Sequence, residues 1–326
     1  MPETLCTRAV LSGVGMYLPA QVVSNQDMAR RIETSDEWVT ERTGIKQRHF
    51  ANPQETAAYM GAEAGRKALA QAGLAPEALG AIIAATSTPD QAFPATAVHI
   101  QAALGAVNAF GFDLAAACSG FIYALSVADA MLRAGQVSSV LVIGTEVYSR
   151  ILNFEDRGTC VLFGDGAGAV LLQAREVAHS GPGILSTHLH ADGRLADILY
   201  VDGAVGRRDK PGHLVMQGRE VFRHAVTLLA GAVNEALTAN NLTAADIDLL
   251  VPHQANRRII DGVGKKLGLP PERVVVTVDQ HANTSAASIP LALACAMEEG
   301  RTKPGQLILL EALGGGLTWG SALLRL

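Results

Sequence analysis

The chain has 326 residues, of which 49% are hydrophobic, 17% are charged and 33 are glycine. This composition excludes a disordered or charge-driven protein, because such chains lack the apolar side chains that build a core. Aromatic residues make up only 5% of the chain, so the core must consist mainly of Ala, Val, Leu and Ile. Small side chains let helices pack closely on sheets, and a length of about two ordinary domains therefore predicts a layered α/β protein.

Acidic residues outnumber basic ones by 31 to 26, and the formal net charge is -5. This balance argues against nucleic-acid binding as the main function. No apolar run reaches the ~18 residues of a membrane span, and the N-terminus lacks the basic and apolar regions of a signal peptide. We therefore expect a cytoplasmic protein with no nucleic-acid or membrane partner.

The cysteines are scattered along the chain and show no CxxC spacing. This pattern predicts neither a disulfide framework nor a zinc site. Each thiol is therefore either a small buried hydrophobic group or a nucleophile. The residues concerned are Cys6, Cys118, Cys160 and Cys295.

Ala-rich helical periods alternate with apolar β-branched runs through the first half. Residues 57–73 predict an amphipathic helix, and 81–86 predict a buried strand. An Ala-rich helix is expected from residue 119 to about 135, followed by a buried strand over 140–146. The segment 160–174 predicts two strands joined at a glycine-rich turn.

The second half repeats this order of elements. Residues 67–86 align without a gap on 235–254, at a constant offset of 168. Further on, the strand LILLEAL and the glycine-rich segment after it correspond to VLVIGTE and FGDGAGAVLLQA. Because several elements recur in the same order, we expect a duplication with halves 1–174 and 175–326 and a site shared between them.

Three polar residues follow predicted buried strands. Cys118 precedes the glycine that opens a helix, where backbone N–H groups and the helix dipole are expected to lower the thiol pKa. His253 leaves the end of a strand, where it can donate a hydrogen bond or act as a base, unless it is an ordinary core histidine. Asn283 lies in a strand-to-helix turn, either as a helix cap or as a site residue. Cys118 and Asn283 are expected at equivalent positions of the two halves.

Five segments go beyond these general patterns: ACSGF around Cys118, PHQAN around His253, NTSAAS around Asn283, GDGAGA from Gly164, and LGGGLTWGSALLRL at the C-terminal end. With LSGVGMYLP near the N-terminus, they resemble the β-ketoacyl-acyl-carrier-protein synthase III family in order and spacing. The resemblance implies an α/β, thiolase-like layered αβαβα architecture of two duplicated halves. It also implies the condensing reaction that starts bacterial fatty-acid synthesis.

The resemblance implies a ping-pong mechanism. Cys118 takes an acyl group from acyl-CoA as a thioester, CoA leaves, and malonyl-acyl carrier protein enters. His253 and Asn283 donate hydrogen bonds to the malonyl thioester carbonyl and stabilise the enolate that forms as carbon dioxide leaves. The backbone N–H groups of Cys118 and Gly315 form an oxyanion hole for the acyl carbonyl. No metal and no cofactor are implied, since the CoA thioesters are substrates.

The segment TSDEWVTERTG carries a signal for substrate recognition. Thr34 and Glu37 form a capping-box pattern that predicts the start of a short helix. Trp38 and Arg42 are then one turn apart on one face, so that an indole and a guanidinium flank a planar ring or form a surface cation–π pair. The resemblance implies that this pair binds the CoA adenine. It also implies further CoA and pantetheine contacts from Arg157, Gly218, Phe222 and Asn256.

Basic residues recur along the predicted helix after His253. Such a run is either a solvated helix face or a docking surface for an acidic partner. The resemblance implies that Arg258, Lys265 and Lys266 bind the acyl carrier protein.

The resemblance also implies a homodimer in which Phe93 crosses the interface and closes the acyl pocket, which favours a short primer such as acetyl. Two residues depart from the family pattern. Ala282 replaces the usual glycine before the catalytic asparagine. Leu313 replaces the phenylalanine of many members, and its smaller side chain is expected to alter the acyl pocket and the primer preference.

Other classes fit the sequence less well. A papain-like hydrolase also has Cys, His and Asn in this order at ~130 to 150 residues between Cys and His, but it lacks the duplicated α/β pattern and has a different cysteine context. A thiolase has a second catalytic cysteine near the C-terminus, and elongating synthases have a second histidine where this chain has Asn283. A non-enzymatic carrier-protein binder does not need Cys118, His253 and Asn283 together.

Three weaker candidates remain. His188 and His190 share one face of a predicted strand, but no carboxylate or thiol at ligand spacing completes a metal site. His281 is expected in a loop. GDGAGA leads into an apolar strand and not into a helix, so it does not predict a phosphate-binding loop.

Overall fold

The computed structural model describes residues 5–326, and most of their apolar runs form strands. The longer strands build two sheets, and two short pairs lie outside them. The strands are β1 (Leu5–Tyr17), β2 (Gln21–Ser24), β3 (Gln47–Phe50), β4 (Ala81–Ala85), β5 (Phe110–Leu114), β6 (Ser139–Val147), β7 (Asp165–Ala178), β8 (Gly183–Ala191), β9 (Leu199–Val201), β10 (Leu214–Met216), β11 (Leu249–Pro252), β12 (Leu307–Gly314) and β13 (Thr318–Arg325).

The helices begin and end at residues suited to those positions. Thr56 caps the first long helix with its side chain, and Gly73 ends it with a left-handed φ of 65°. Among residues 5–326, no helix is both long enough and apolar enough to cross a membrane. The helices are α1 (Asn25–Ala29), α2 (Asp36–Thr43), α3 (Ala57–Ala72), α4 (Thr96–Leu104), α5 (Gly120–Arg133), α6 (Arg157–Cys160), α7 (Gly218–Ala239), α8 (Arg257–Leu267), α9 (Val278–His281) and α10 (Ser288–Glu298).

The two sheets have the same strand order. The first runs β1-β7-β6-β4-β5, with β7 antiparallel to both neighbours and β4 parallel to both of its own. The second runs β8-β13-β12-β11 with the matching directions. A parallel bridge between Leu250 and Val274 adds the equivalent of β5 beside β11. The predicted duplication is therefore present in the structure.

The sheets and helices form five layers, α/β/α/β/α. Helices α3 and α4 cover the outer face of the first sheet, α5 and α10 lie between the sheets, and α7 and α8 cover the second sheet. Neighbouring residues of one strand face opposite layers, as Ile82 and Ile83 do in β4 and Leu309 and Leu310 do in β12. Strands buried on both faces explain the continuous apolar runs of the sequence. The predicted layered architecture is confirmed.

The predicted elements of the repeat occur at the predicted offset. The short 3-10 turns Pro76–Ala78 and Ala244–Asp246, like the first residues of β4 and β11, differ by 168 in number. The helices and strands predicted over 57–73, 81–86 and 140–146 are also present within one residue at each end. The boundary after residue 174 falls inside β7, which continues to Ala178.

The prediction of two strands within 160–174 is wrong. Cys160 ends the short helix α6, and one strand starts at Asp165. The glycines serve close packing and not a turn: a Cβ on Gly168 would lie 2.7 Å from the backbone nitrogen of Leu291 in α10. Glycine in a strand is typical where another backbone approaches closely.

A carboxyl group is buried in the second sheet without a partner. Glu311 of β12 is 1% exposed, and its Oε2 atom accepts no hydrogen bond from any residue in the described range. Burial raises the pKa of Glu311 from 4.5 to about 8. Between these two values the folded chain holds a proton that the unfolded chain has lost. The unfolding free energy therefore falls as the pH rises through this interval.

We predict that Glu311→Gln removes part of this pH dependence, because glutamine has the shape of the protonated side chain and does not ionise. The variant should be close to wild type in unfolding free energy at pH 5 and more stable by on the order of 2–4 kcal/mol at pH 8.5. Urea unfolding at both pH values measures this difference. The exposed Glu298→Gln is the control and should show no pH-dependent difference. Equal effects of Glu311→Gln at both pH values would contradict the prediction.

Candidate active site

A cavity of about 1050 Å³ lies between the two halves and contains most of the predicted site residues. Exposed side chains such as Phe222 and Arg258 mark its outer end, and the buried Cys118, His253 and Asn283 mark its inner end. The structure thus brings the three predicted catalytic residues together. The predicted residues that line the cavity are Trp38, Arg42, Cys118, Gly218, Phe222, His253, Asn256, Arg258, Asn283, Leu313 and Gly315.

Cys118 lies in the 3-10 turn Ala117–Ser119 that connects β5 to α5. Burial raises the pKa of its thiol to about 12, and the buried Glu146 also raises it, whereas the nearby hydroxyls of Ser285 and Tyr148 act in the opposite direction. The predicted lowering of this pKa is therefore wrong. The largest cause of the rise is the loss of solvent from the fully buried thiolate. The resting group is a neutral thiol.

His253 follows β11 and is fixed at its backbone and at its ring. Its N–H donates to the Glu311 carbonyl oxygen at 2.8 Å, and its Nδ1 lies 2.6 Å from Ser288 Oγ. The same Oγ accepts the N–H of Gln254 at 2.8 Å. We infer that Ser288 donates its hydroxyl hydrogen to Nδ1, which leaves Nε2 as the protonated ring nitrogen.

Burial also fixes the charge of the His253 ring. Without solvent around it, the imidazolium form is disfavoured, and the pKa falls from 6.5 to about 3. His253 is thus neutral at physiological pH. A neutral imidazole with a protonated nitrogen is a hydrogen-bond donor and not a strong acid or base.

Asn283 is held by its neighbours on both sides. Its N–H donates to the Leu162 carbonyl at 2.9 Å, and its own carbonyl accepts from Gly164 at 3.0 Å. The side-chain Oδ1 accepts the N–H of Ser285 at 2.9 Å. The acceptor atom of the amide is therefore occupied, and its NH₂ group remains as a donor in the cavity.

Cys118 and Asn283 do not occupy equivalent positions of the repeat. The turn Ala117–Ser119 corresponds to Ser285–Ala287 at the offset of 168, so Cys118 is equivalent to Ala286. Asn283 precedes this turn by two residues. The predicted equivalence is thus wrong by three residues, although both residues do come before a central helix.

Ala282, the departure from glycine noted in the sequence, adopts a backbone conformation that suits glycine. Its φ is 57° and its ψ is -159°. This region is essentially restricted to glycine, because a Cβ collides with the backbone there. The residue is fully buried and directly precedes Asn283. The position therefore stores strain beside a predicted catalytic residue.

The glycine-rich turn between β12 and β13 packs against Cys118. A Cβ on Gly314 would lie 2.6 Å from the Cys118 nitrogen, and one on Gly315 would lie 2.7 Å from the Leu199 carbonyl oxygen. Only glycine fits at either position without a shift of the backbone. Gly315 and Leu313 both line the cavity near Cys118.

The cavity entrance lies beside α2. Ser35 caps this helix by accepting the N–H of Trp38, so the predicted cap at Thr34 is wrong by one residue. The guanidinium of Arg42 lies 4.5 Å from the Trp38 ring centroid, as the spacing of one turn predicts. Arg157 contacts the same ring at 5.1 Å but does not line the cavity. Two cations thus contact one indole at the entrance.

The start of α8 is tied to α2. Asn256 caps α8 by accepting the N–H of Arg258, and its amide donates to the Arg42 carbonyl at 3.2 Å. Arg258 donates to the Glu41 carbonyl at 2.8 Å. These hydrogen bonds link Asn256, a predicted pantetheine contact, to α2, the helix that contains Trp38.

The basic residues of α8 are exposed, and they lie outside the cavity apart from Arg258. Arg257 pairs with Asp261 at 2.7 Å. Among residues 5–326, no carboxylate lies within 4.0 Å of the charged nitrogens of Arg258, Lys265 or Lys266. Their charges are thus available at the surface.

Other predicted residues lie away from the cavity. Phe93 is 84% exposed. His188 and His190 both contact Glu235, at 3.3 Å and 2.5 Å, a carboxylate that is distant from both in sequence. Among the residues that the structure describes, no group of three His, Cys, Asp or Glu side chains has the arrangement of a metal site. His281 is not in a loop but is the buried last residue of α9.

Three residues near Cys118 were assigned no role from the sequence, although Ser288 is the last residue of the quoted segment NTSAAS. Ser288 orients His253, and Tyr148 lines the cavity. Glu146 accepts hydrogen bonds from the Ser87 N–H and the Thr88 hydroxyl, and burial raises its pKa to about 7. Glu146 and Tyr148 have no sequence signal beyond their position, at the end of a predicted strand and two residues after it.

The five-layer duplicated fold and a thiol beside two N–H donors define a class, the thiolase-fold condensing acyltransferases. Comparison with known proteins identifies the family within it. Residues 112–193 match the family profile described as 3-Oxoacyl-[acyl-carrier-protein (ACP)] synthase III, and residues 237–326 match the profile of its C-terminal part. The chain belongs to the β-ketoacyl-[acyl-carrier-protein] synthase III family.

Individual relatives agree along nearly their whole length. The chain is 69% identical to the β-ketoacyl-[acyl-carrier-protein] synthase III of Acidiphilium cryptum over 98% of this chain and 99% of that protein. The crystal structure of 3-oxoacyl-[acyl-carrier-protein] synthase III from Aquifex aeolicus has 46% identity and a TM-score of 0.93, and the match covers 98% and 100% of the two chains. A priming β-ketosynthase of a polyketide biosynthetic pathway has 38% identity and a TM-score of 0.91, with 100% and 98% covered.

We predict that Ala282→Gly stabilises the protein, because glycine relieves the strain at this φ and ψ. Relief of roughly 1–3 kcal/mol exceeds the entropic cost of glycine in the unfolded chain, and a net gain of about 1 kcal/mol is expected. The urea unfolding midpoint measures it. Ala287→Gly is the matched control, since Ala287 has an ordinary φ of -75° and should lose stability. A lower midpoint for Ala282→Gly contradicts the strain assignment.

Proposed function

We propose that this protein joins a short acyl group from acyl-CoA, acetyl in particular, to malonyl-acyl carrier protein with loss of carbon dioxide. The observation that carries the proposal is the state of the three inner residues. Cys118 is a buried thiol, Asn283 Oδ1 accepts the Ser285 N–H, and His253 Nδ1 lies 2.6 Å from the Ser288 hydroxyl that we infer to be its donor. The cavity therefore combines one nucleophile with two neutral N–H donors.

In the first half-reaction, the Cys118 sulfur attacks the thioester carbonyl of acyl-CoA. The new S–C bond forms, the bond to the CoA sulfur breaks, and CoA leaves with the proton of the Cys118 thiol. The N–H groups of Cys118 and Gly315 stabilise the negative charge on the carbonyl oxygen. The packing of the glycine turn against the Cys118 backbone supports this assignment.

In the second half-reaction, the malonyl thioester loses its carboxylate as carbon dioxide, and the electron pair of that C–C bond forms an enolate. His253 Nε2–H and the Asn283 amide donate to the enolate oxygen. The carbanion attacks the acyl-Cys118 carbonyl, the bond from that carbonyl carbon to the Cys118 sulfur breaks, and the released thiolate takes up one proton from solvent. The products are a β-ketoacyl-acyl carrier protein and carbon dioxide, and no resident cofactor takes part.

The outer end of the cavity suits the nucleotide part of CoA. Trp38, Arg42 and Arg157 offer one aromatic face and two cations for the adenine and its phosphates. Gly218, Phe222 and Asn256 line the same cavity as Cys118, and we assign them to the pantetheine arm. The acidic carrier protein binds a basic patch formed by the exposed Arg258, Lys265 and Lys266. Because the chain has a net charge of -5, this positive charge is a local feature of the surface.

The acting unit that we propose is a cytoplasmic homodimer. Strand β5 is the edge of the first sheet, and its Phe110 is 51% exposed close to the exposed Val107. An apolar sheet edge of this kind favours a second copy of the chain. Phe93 is then available to enter the acyl pocket of the partner, where it and Leu313 limit the primer.

Papain-like hydrolysis is less compatible with this geometry. That chemistry needs a thiolate paired with an imidazolium, and burial disfavours both charged forms at Cys118 and His253. A role in priming polyketide synthesis has the same chemistry, and the similarity to a priming β-ketosynthase supports it as the second candidate. Acylation rates with a panel of acyl-CoA primers distinguish the two roles.

We predict that acetyl-CoA alone adds one acetyl group to Cys118, because the first half-reaction does not need the carrier protein. Intact-protein and peptide mass spectrometry locate the group. Cys118→Ala should remain unlabelled, whereas Cys160→Ala should be labelled like wild type, since the buried Cys160 does not line the cavity. No label on wild type, or a label that persists in Cys118→Ala, refutes the nucleophile.

We predict that His253→Ala still becomes acylated but decarboxylates the malonyl thioester on the order of 10²–10³ times more slowly, because the enolate loses one of its two side-chain donors. Release of carbon dioxide from malonyl-acyl carrier protein measures this step separately from acylation. The exposed His179→Ala serves as the control. A His253→Ala variant that condenses at the wild-type rate rules out the donor role.

A further inference from the structure

One aromatic residue at the inner end of the cavity has no role in the reaction as derived above. Tyr148 directly follows β6, lines the same cavity as Cys118 and is only 3% exposed. Its hydroxyl lies close enough to the Cys118 thiol to influence the thiol's pKa. Tyr148 therefore lies where the acyl group of acyl-Cys118 begins.

The Tyr148 ring is stacked on a second ring. The centroids of Tyr148 and Phe163 are 5.0 Å apart, and the ring planes are inclined by 22°. Phe163 is 2% exposed and also lines the cavity. The two stacked and buried rings form an aromatic wall of the cavity.

This aromatic wall, Tyr148 with Phe163, is held on both sides. Leu162 and Gly164, which flank Phe163, form backbone hydrogen bonds with Asn283 at 2.9 Å and 3.0 Å, respectively. Ser149, which follows Tyr148, donates its N–H to Asp165 at 2.8 Å. The wall cannot shift without displacing Asn283, so its position defines a fixed limit and not a flexible one.

The surroundings of the Tyr148 hydroxyl are polar. The hydroxyl oxygens of Ser87 and Ser285 are buried, make no hydrogen bond to any residue within 5–326, and lie near the phenol oxygen. These hydroxyl groups lie behind the cavity surface, and of the two residues only Ser87 lines the cavity. An alkyl chain that displaced the Tyr148 ring would replace a phenol with an apolar group beside them, which is unfavourable for buried polar atoms. The ring and the polar groups behind it thus both disfavour a longer chain.

We propose that Tyr148, held against Phe163, sets the length of the primer by closing the cavity beyond Cys118, so that a two-carbon acyl group fits and longer chains are excluded. This inference rests on the proposed function, because it concerns the acyl group that Cys118 carries. Tyr148 belongs to the same chain as Cys118, so this limit acts in addition to any residue of a partner subunit.

The test measures the rate of Cys118 acylation with acetyl-, butyryl- and hexanoyl-CoA at equal, subsaturating concentrations. Wild type is expected to favour acetyl over butyryl at least tenfold. Tyr148→Leu removes the ring and should raise the butyryl-to-acetyl ratio at least tenfold. Tyr148→Phe retains the ring and the stack, and its ratio should stay within about threefold of wild type even if both rates change. Circular dichroism and thermal unfolding establish that the variants are folded.

An unchanged ratio in folded Tyr148→Leu overturns the inference and leaves the condensing function intact. The wild-type series is sufficient by itself if that variant does not fold: hexanoyl and acetyl rates within threefold of each other also overturn the inference. A shift of the same size in Tyr148→Phe overturns it as well, because the ring is then not the determinant. A wild-type protein that accepts no acyl-CoA contradicts the proposed function, and the inference fails with it.

Discussion

The site depends on the close approach of the two central helices, α5 and α10, to the sheets on either side. A Cβ on Gly144 would lie 2.2 Å from the Ala286 carbonyl oxygen, and one on Gly168 would lie 2.7 Å from the Leu291 nitrogen. A larger side chain at either glycine would displace the start of α10 and Asn283 with it. The small-residue composition of the chain thus determines how near Cys118, His253 and Asn283 lie to each other.

The same close packing sets the charge state of the site. Burial raises the pKa of Cys118 to about 12 and lowers that of His253 to about 3, so both are neutral before substrate binds. A neutral imidazole is too weak an acid to protonate an enolate. It can still donate a hydrogen bond to the enolate oxygen as negative charge develops there, and its own charge does not change. A decarboxylating condensation requires selective stabilisation of the enolate. A papain-like hydrolase instead needs a thiolate paired with an imidazolium, that is, both groups in their charged forms. The electrostatics of the cavity therefore follow from the fold.

Much of the fold could be predicted from the sequence because its signals are local or periodic. Apolar runs mark the strands, and the offset of 168 marks the duplication. What the sequence does not contain is the depth of burial and the partners that distant segments supply. The pKa of Cys118 was therefore predicted in the wrong direction, and the contact of His190 with Glu235, 45 residues away, was not anticipated. The stack of Tyr148 on Phe163 likewise exists only after folding.

The duplicated backbone explains how one framework supports two different sets of side chains. At the offset of 168, Ala85 and Gly120 of the first half correspond to His253 and Ser288 of the second. In the first half these two positions are packed together without a hydrogen bond between side chains: a Cβ on Gly120 would lie 3.2 Å from the Cβ of Ala85. In the second half the same neighbours are joined by a 2.6 Å hydrogen bond that orients the imidazole. The strand-to-helix contact is thus apolar in one copy and a hydrogen bond in the other, and Cys118 belongs to the copy with the apolar contact.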